Sequence, residues 1–361
     1  MSFDLEQYLS KGIEDLIKDA IKVAFKNPKQ SAFFLRYTKS AKKASQRRHE
    51  FGSTGMHIPP FIIASITGEC NLNCSGCYSH SNNPYDESKE MPVSEWGRIF
   101  SEAAEMGVSV ILLAGGEPLL RKDVIEVAAK QRDIIFPVFT NGTMVDPAAI
   151  QVFNANRNLI PIISIEGDET VTDLRRGEGI YKQASDAMSH LRDRGVMFGA
   201  SITVTADNLE AVTDRDFISE LEQKGCKIVL FVEYVPFEHF SIALQEEARD
   251  KMASHIENLR AKHQMIIISF PGDEAESGGC LAAGRGFFHI NASGNAEPCP
   301  FSPYSDLNLR DKPLKEAINS RLFVLLQEEG ILATPHTGGC VLFEQEEKVA
   351  HLAERVKKDC S

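Results

Sequence analysis

The sequence predicts an α/β fold in which helices cover a parallel sheet. Three observations carry this. Apolar runs of six to ten residues recur between positions 61 and 270. They do not alternate with polar residues, as a half-exposed strand would, so both faces of each strand are expected to be buried. Segments with helical spacing separate them, and the polar and Gly-rich motifs fall where the runs end, which is where parallel α/β folds place their sites.

The elements follow in order. Ile13, Leu16, Ile17, Ala20 and Ala24 recur at helical spacing and predict a first helix with one apolar face. A second helix is expected after Pro28, ending in the basic run Lys42, Lys43, Arg47, Arg48. FIIASIT (61–67) is the first strand, followed by a cysteine-bearing loop. A helix is expected over 94–106 with Ser94 as N-cap, then strand 108–114 running into GGEP. Next come a helix near 122–132, strand 133–140 ending at Asn141-Gly142, a helix near 147–156 and strand 159–165. Helix 181–194, strand 196–204, a helix near 209–224 and strand 226–235 complete at least six βα repeats. Helix 244–263 and strand 265–270 follow. Residues 271–300 are rich in Gly, Pro and Cys, with a hairpin expected to turn at Ser293-Gly294-Asn295.

Composition bounds the function. The chain has 361 residues, 43% of them hydrophobic, enough for a large core. The net charge of −12 argues against a nucleic-acid surface. Residues 1–50 depart from the rest, with 11 Lys/Arg against 6 Asp/Glu. The plain reading of this arm is a helical cap with a solvated basic edge; a membrane-surface or partner contact is the sharper one. No apolar run approaches the roughly 18–20 residues that span a bilayer, and the N-terminus has no basic-then-apolar secretory pattern. A cytoplasmic location is expected, with the eight cysteines as thiols or metal ligands.

Cys70, Cys74 and Cys77 stand in one loop at C-x3-C-x2-C spacing. Three thiolates can hold three corners of a cubic iron–sulfur cluster and leave the fourth iron open. A zinc site completed by His80 is the alternative. This loop, directly after the first strand of a βα array, resembles the signature of the radical S-adenosylmethionine superfamily. The resemblance covers roughly residues 60–270 and implies a partial (β/α)6 TIM-like barrel. It also implies a 4Fe–4S cluster, whose open iron is chelated by S-adenosylmethionine, and a one-electron donor such as flavodoxin or ferredoxin. Reductive cleavage of that cofactor then yields a 5′-deoxyadenosyl radical that abstracts hydrogen from a substrate carbon.

Cofactor contacts carry over position by position. Gly115-Gly116-Glu117-Pro118 is similar to the superfamily's GGEP motif, with glycines for close approach and Glu117 for the cofactor ammonium. Asn141-Gly142 resembles a TNG turn. Ser164 and Glu166, and then Ser201, Thr203 and Asn208, fall where ribose or adenine contacts are expected. Arg176, in Arg175-Arg176-Gly177, is placed to pair with the methionine carboxylate. Many members carry an aromatic residue just before the third cysteine. This chain has Gly76 there and Tyr78 after the cysteine, so Tyr78 or the loop backbone is left to meet the adenine.

Cys280, thirteen residues, Gly294, four residues and Cys299 resemble the opening of a SPASM or twitch domain, which binds auxiliary clusters. One auxiliary 4Fe–4S cluster on Cys280, Cys299 and Cys340 is expected, its fourth place falling to His336, Cys360 or an open iron. Zinc is the alternative, and Cys226 reads as a buried core residue. The implied division is a helical extension at 1–58, the barrel at 59–272, a cysteine-rich unit at 273–345 and a helical tail at 346–361. The implied activity is hydrogen abstraction from a peptide or small molecule, with the auxiliary cluster aiding oxidation or substrate binding. Leader-guided peptide enzymes often carry a winged-helix domain, and the two N-terminal helices lack the strands for one. Glu233, Tyr234 and His239 stand where substrate could be touched. A non-catalytic iron–sulfur carrier or scaffold is the competing class; GGEP and the βα array speak against it.

Overall fold

The computed structural model describes residues 4–25, 27–82, 85–270, 277–334 and 339–359. Seven strands form one parallel sheet: β1 (Phe61–Thr67), β2 (Val110–Gly115), β3 (Phe136–Thr140), β4 (Leu159–Ile165), β5 (Gly199–Val204), β6 (Ile228–Glu233) and β7 (Ile266–Phe270). They lie side by side in chain order. A short hairpin, β8 (His289–Ile290) and β9 (Ala296–Glu297), extends the sheet beyond β1. β8 pairs with β1 in parallel, and β9 returns antiparallel. The result is the unclosed α/β barrel that the sequence predicts.

The helices up to β7 are α1 (Leu5–Val23), α2 (Pro28–Ser53), α3 (Tyr78–Asn82), α4 (Val93–Met106), α5 (Lys122–Lys130), α6 (Pro147–Ala155), α7 (Glu169–Arg176), α8 (Ile180–Asp193), α9 (Leu209–Val212), α10 (Arg215–Gln223) and α11 (Glu246–Lys262), and four more follow among the described residues between Leu314 and Asp359. Several stop and start differently from expectation. α4 has Pro92 at its N-cap with no side-chain cap, so Ser94 falls inside the first turn. Asp214 caps α10 through Asp216 N, which divides the expected 209–224 helix in two. α3 occupies part of a stretch that reads as irregular, directly after the third cysteine.

The N-terminal pair plugs one end of the barrel. Ile13, Ile17, Phe33, Phe34 and Tyr37 pack with Ile135, Ile160, Ile162, Met197 and Ile266 in one apolar cluster. Asn27 caps α2 and also donates from Nδ2 to Gly195 O at 2.7 Å, which pins the turn between the two helices to the barrel base. The expected basic edge is only partly solvated. Arg48 is 3% exposed and donates to Gly107 O at 2.6 Å and Ser109 Oγ at 3.0 Å, while Arg47 donates to Ala104 O at 2.7 Å. Both serve carbonyls where α4 turns into β2; Ala104 O also accepts from Gly107 N at 3.2 Å, so Arg48 is the more consequential of the two. Among the described residues no helix is long and apolar enough to cross a membrane.

Replacing Arg48 by Met should therefore cost about 1–3 kcal/mol, because a buried carbonyl and hydroxyl lose their donor. Arg47→Met, at an exposed position, should cost roughly 0.5 kcal/mol or less. Urea unfolding of the two variants side by side measures the difference.

Candidate functional site

The mouth of the barrel is organised by one close approach. The turn after β2 lies against the cysteine loop after β1, with Gly116 N donating to Thr67 O at 2.9 Å and Glu117 N to Glu69 O at 2.8 Å. A Cβ on Gly115 would stand 2.2 Å from Thr67 O, and one on Gly116 1.9 Å from Glu69 O. The glycines of GGEP are thus required by the backbone of the cysteine loop itself, where the sequence suggested approach to a ligand. Glu90 holds the start of that loop, accepting from Thr67 Oγ1 at 2.5 Å and Gly68 N at 2.9 Å, and Arg121 pairs with it at 3.1 Å.

Glu117 is fully buried and braces the strand ends. Its carboxylate accepts from Leu119 N at 3.0 Å, Thr140 Oγ1 at 2.8 Å and Asn141 N at 2.8 Å. Burial raises its pKa against the pull of these bonds and of the Arg176 charge. Glu117, for which the sequence suggested a bond to the cofactor ammonium, joins β2 to β3. Pro118 begins the 3-10 turn Pro118–Leu120 that Glu117 caps.

Glu166 is spent in the same way. It is 1% exposed, and its Oε1 accepts from Arg175 Nη1 at 2.5 Å and from Arg176 Nε at 2.8 Å and Nη2 at 2.5 Å. Oε2 accepts from Thr203 N at 2.9 Å. The carboxylate, expected from the sequence near a ribose, clamps two guanidiniums at the cysteine loop. Asn208 supports it from behind, donating to Glu166 O at 3.0 Å. Burial opposes the charge on Arg176, but Glu166 and the Cys74 thiol more than offset it, and its pKa is raised. Ser164 and Ser201 are register partners on β4 and β5. By strand alternation they share the inner wall with Ile162 and Gly199, one step above the apolar plug.

The three loop thiols face this assembly. Burial pushes the Cys70 thiol up to about 11, and it feels Glu117, Cys74 and Cys77. Cys74 is also raised by burial, and Arg176 and Arg175 partly counter this. Arg175 O accepts from Ser75 N at 2.9 Å and so holds the loop directly. His80, the alternative zinc ligand, turns its Nε2 to Leu72 O at 3.1 Å. Three neighbouring thiols in one loop, with Cys70 and Cys74 costly to ionise alone, form a donor set suited to a bound cationic cluster, whose charge would stabilise the thiolates.

A second group lies beyond β1. Cys280, Cys299 and Cys340 are all buried, and the Cys299 thiol bonds to Cys340 and faces Cys280. Burial, then these two neighbours, hold the Cys299 pKa well above the usual range. The structure thus brings together three cysteines spread over sixty residues of sequence. His336 and Cys360 lie outside the described residues. Cys226 is core, with its thiol on Ile228 O at 3.0 Å.

Tyr78 departs from expectation. Its ring meets Phe301 edge-on at 5.3 Å, and its buried hydroxyl bonds Ser65. Ser65 Oγ bonds His289 Nε2 at 2.7 Å, and His289 Nδ1 bonds Glu297 Oε2 at 2.7 Å. Asn291 Nδ2 donates to Glu297 Oε1 at 2.6 Å. Tyr78 therefore faces the β8–β9 hairpin through a chain of buried polar groups. Sequence reasoning missed Ser65, His289 and Glu297. The polar residues embedded in FFHI and AEPC were the available signal.

With this geometry in place, comparison with known proteins is informative. Residues 64–222 match the Radical SAM superfamily. Over that segment the chain is similar to members of the superfamily. It is similar to the AdoMet-dependent heme synthase of Methanosarcina barkeri, 29% identical over 288 residues that cover 72% of this chain and 82% of that one. It is also similar to the sporulation killing factor maturation protein SkfB of Bacillus subtilis, 29% identical over 172 residues covering 47% and 42% of the two chains. In fold it resembles Streptococcus suis SuiB bound to S-adenosylmethionine, with TM-score 0.63 and 13% identity over 76% of this chain and 69% of SuiB. The protein is an enzyme, and the matched superfamily implies a 4Fe–4S cluster with S-adenosylmethionine.

Two substitutions probe the mouth. Gly116→Ala should prevent the loop from seating at all, seen as loss of soluble folded protein by circular dichroism. Glu166→Gln keeps the shape but strands two guanidiniums, and should lower stability by about 3 kcal/mol in urea unfolding.

Proposed function

We propose that this enzyme abstracts a hydrogen atom from a carbon of a peptide or small-molecule substrate, using a 4Fe–4S cluster on Cys70, Cys74 and Cys77. The observation that carries the reading is the gathering of those thiols, Cys74 and Cys77 beside Arg176 and Cys70 beside the braced Glu117, inside the segment that matches the superfamily. When bound, the cluster and S-adenosylmethionine supply an electron and a cleavable sulfonium, and so a 5′-deoxyadenosyl radical. The chain's own residues do the rest. The cysteine loop leaves one coordination place to the cofactor. Arg176, oriented by Glu166, offers a fixed cation at the loop, suited to a carboxylate. Ser164 and Ser201 offer hydroxyls on the inner wall. The apolar plug beneath keeps water from entering through the barrel base, which protects a radical.

Cys280, Cys299 and Cys340 support an auxiliary cluster that accepts an electron from the substrate radical or anchors the substrate. A reduced flavodoxin or ferredoxin fits as electron donor. The lip of the barrel carries exposed apolar side chains, Leu174 at 85%, Phe240 at 67% and Tyr85 at 45%. An apolar rim favours a substrate large enough to lie across the opening, such as a peptide or a porphyrin-type molecule.

Reconstitution without oxygen tests this. About eight iron atoms per chain are expected, and about four would remove the auxiliary cluster. Replacing Cys70, Cys74 and Cys77 with Ala should abolish formation of 5′-deoxyadenosine. Continued formation, or zinc in place of iron in the parent protein, sinks the reading.

A further inference from the structure

The loop that follows β6 contacts both cysteine groups, and its geometry points to a role not assigned above. Gly76, between the second and third loop cysteines, has φ +64, a left-handed conformation that favours glycine. The space beside it is occupied. A Cβ at Gly76 would stand 2.6 Å from Tyr234 Oη, 3.0 Å from Cε2 and 3.2 Å from Cζ. Tyr234 is 3% exposed, and its hydroxyl donates to Glu238 O, so the phenol is held against the turn by its own loop. One more residue of the same stretch completes the contact. His239 adopts φ +52, uncommon for a residue with a side chain, and its Nε2 meets Ser75 Oγ at 3.1 Å.

The other side of this loop faces the second group. A Cβ at Gly339, the residue before Cys340, would stand 3.0 Å from Glu233 Cγ and 3.3 Å from Tyr234 O. Phe237 packs on Phe301 at 6.1 Å and on Phe343 at 4.9 Å, two rings just after Cys299 and Cys340. One stretch of seven residues therefore lies against the turn of Cys77 and against both loops that carry Cys299 and Cys340.

We propose that residues 233–239 are the template on which both cysteine groups are shaped, and that Tyr234 is the positioning residue for the third-cysteine turn. The inference rests on the reading of Cys70, Cys74 and Cys77 as cluster ligands and deepens it. It moves Tyr234 from the substrate contacts to the support beneath the loop. It also gives a physical reason for Gly76: a side chain there and the Tyr234 phenol would claim the same volume. A flexible loop can hold three thiols only loosely. A ring wedged under it fixes their directions before metal arrives, which is what slow release of a cluster requires.

The test uses the full chain reconstituted without oxygen and follows iron release to a chelator, beside thermal unfolding of the metal-free protein. Tyr234→Leu should speed release of the more slowly or more rapidly lost four irons, whichever the Cys70/Cys74/Cys77 triple variant lacks, by about tenfold. Tyr234→Phe keeps the ring but loses its bond to Glu238 O, and should release iron at a rate between those of the parent and Tyr234→Leu. Gly76→Ala should speed release similarly, and Gly76→Ala with Tyr234→Leu should be no faster than either alone, because removing the phenol makes room for the methyl. Melting temperatures of the metal-free variants within a few degrees of the parent would show that the fold survives. Unchanged release in Tyr234→Leu, additive effects in the pair, or Tyr234→Phe behaving as Tyr234→Leu would each overturn the inference. A parent protein that retains iron while its variants do not differ defeats the template alone. A parent that binds no iron, or whose cluster signal does not respond to S-adenosylmethionine, defeats the functional reading beneath it.

Discussion

The site depends on two carbonyls that leave no room for a methyl group. Thr67 O and Glu69 O lie so close to the turn after β2 that only Gly115 and Gly116 can pass. Because that turn also donates two backbone hydrogen bonds into the cysteine loop, the loop's path is set before any metal binds. Its first residues are then held by Glu90 and Arg121, and its middle by Arg175 O. Three thiols in a flexible loop would sample many directions, and fixing the backbone on two sides removes most of that freedom.

Buried carboxylates repeat the logic at the other strand ends. Glu117, Glu166 and Glu297 are each at most 1% exposed, and each bridges elements far apart in sequence. Glu117 joins the turn after β2 to Thr140 and Asn141. Glu166 joins the end of β4 to both arginines and to Thr203. Glu297 joins the hairpin through His289 to Ser65 on β1. A buried carboxylate is costly unless several donors satisfy it, so each of the three demands its partners in position. This explains why acidic residues at strand ends serve here as braces, even where the motif suggested a ligand contact.

The hairpin addresses another problem. An unclosed sheet has two edges, and an exposed edge invites pairing with other chains. β8 covers the β1 edge with its own backbone, and in doing so it carries Cys280 and Cys299 to the side of the barrel where Tyr78 waits. The N-terminal helices seal the barrel base with a separate apolar cluster. The arm and the cysteine-rich segment thus each complete a surface that the βα array leaves open.

Sequence alone determined whatever depends on neighbours in the chain. The parallel strands were legible because apolar runs of this length must be buried on both faces. The loop cysteines were legible because their spacing is covalent, and Cys226 because it stands at the head of an apolar run. Tertiary structure decided the rest, since its causes lie far along the chain. Nothing in GGEP announces that its glycines answer to Thr67 and Glu69, and nothing near Gly76 announces the phenol of Tyr234, more than 150 residues away. Arg48 reads as a solvated charge until Gly107 O is placed beside it. Glu166 reads as a ligand until two guanidiniums and an amide occupy its oxygens. Periodicity and spacing are local properties, whereas which polar atom meets which is set by packing, and only the folded chain brings those atoms within hydrogen-bonding distance.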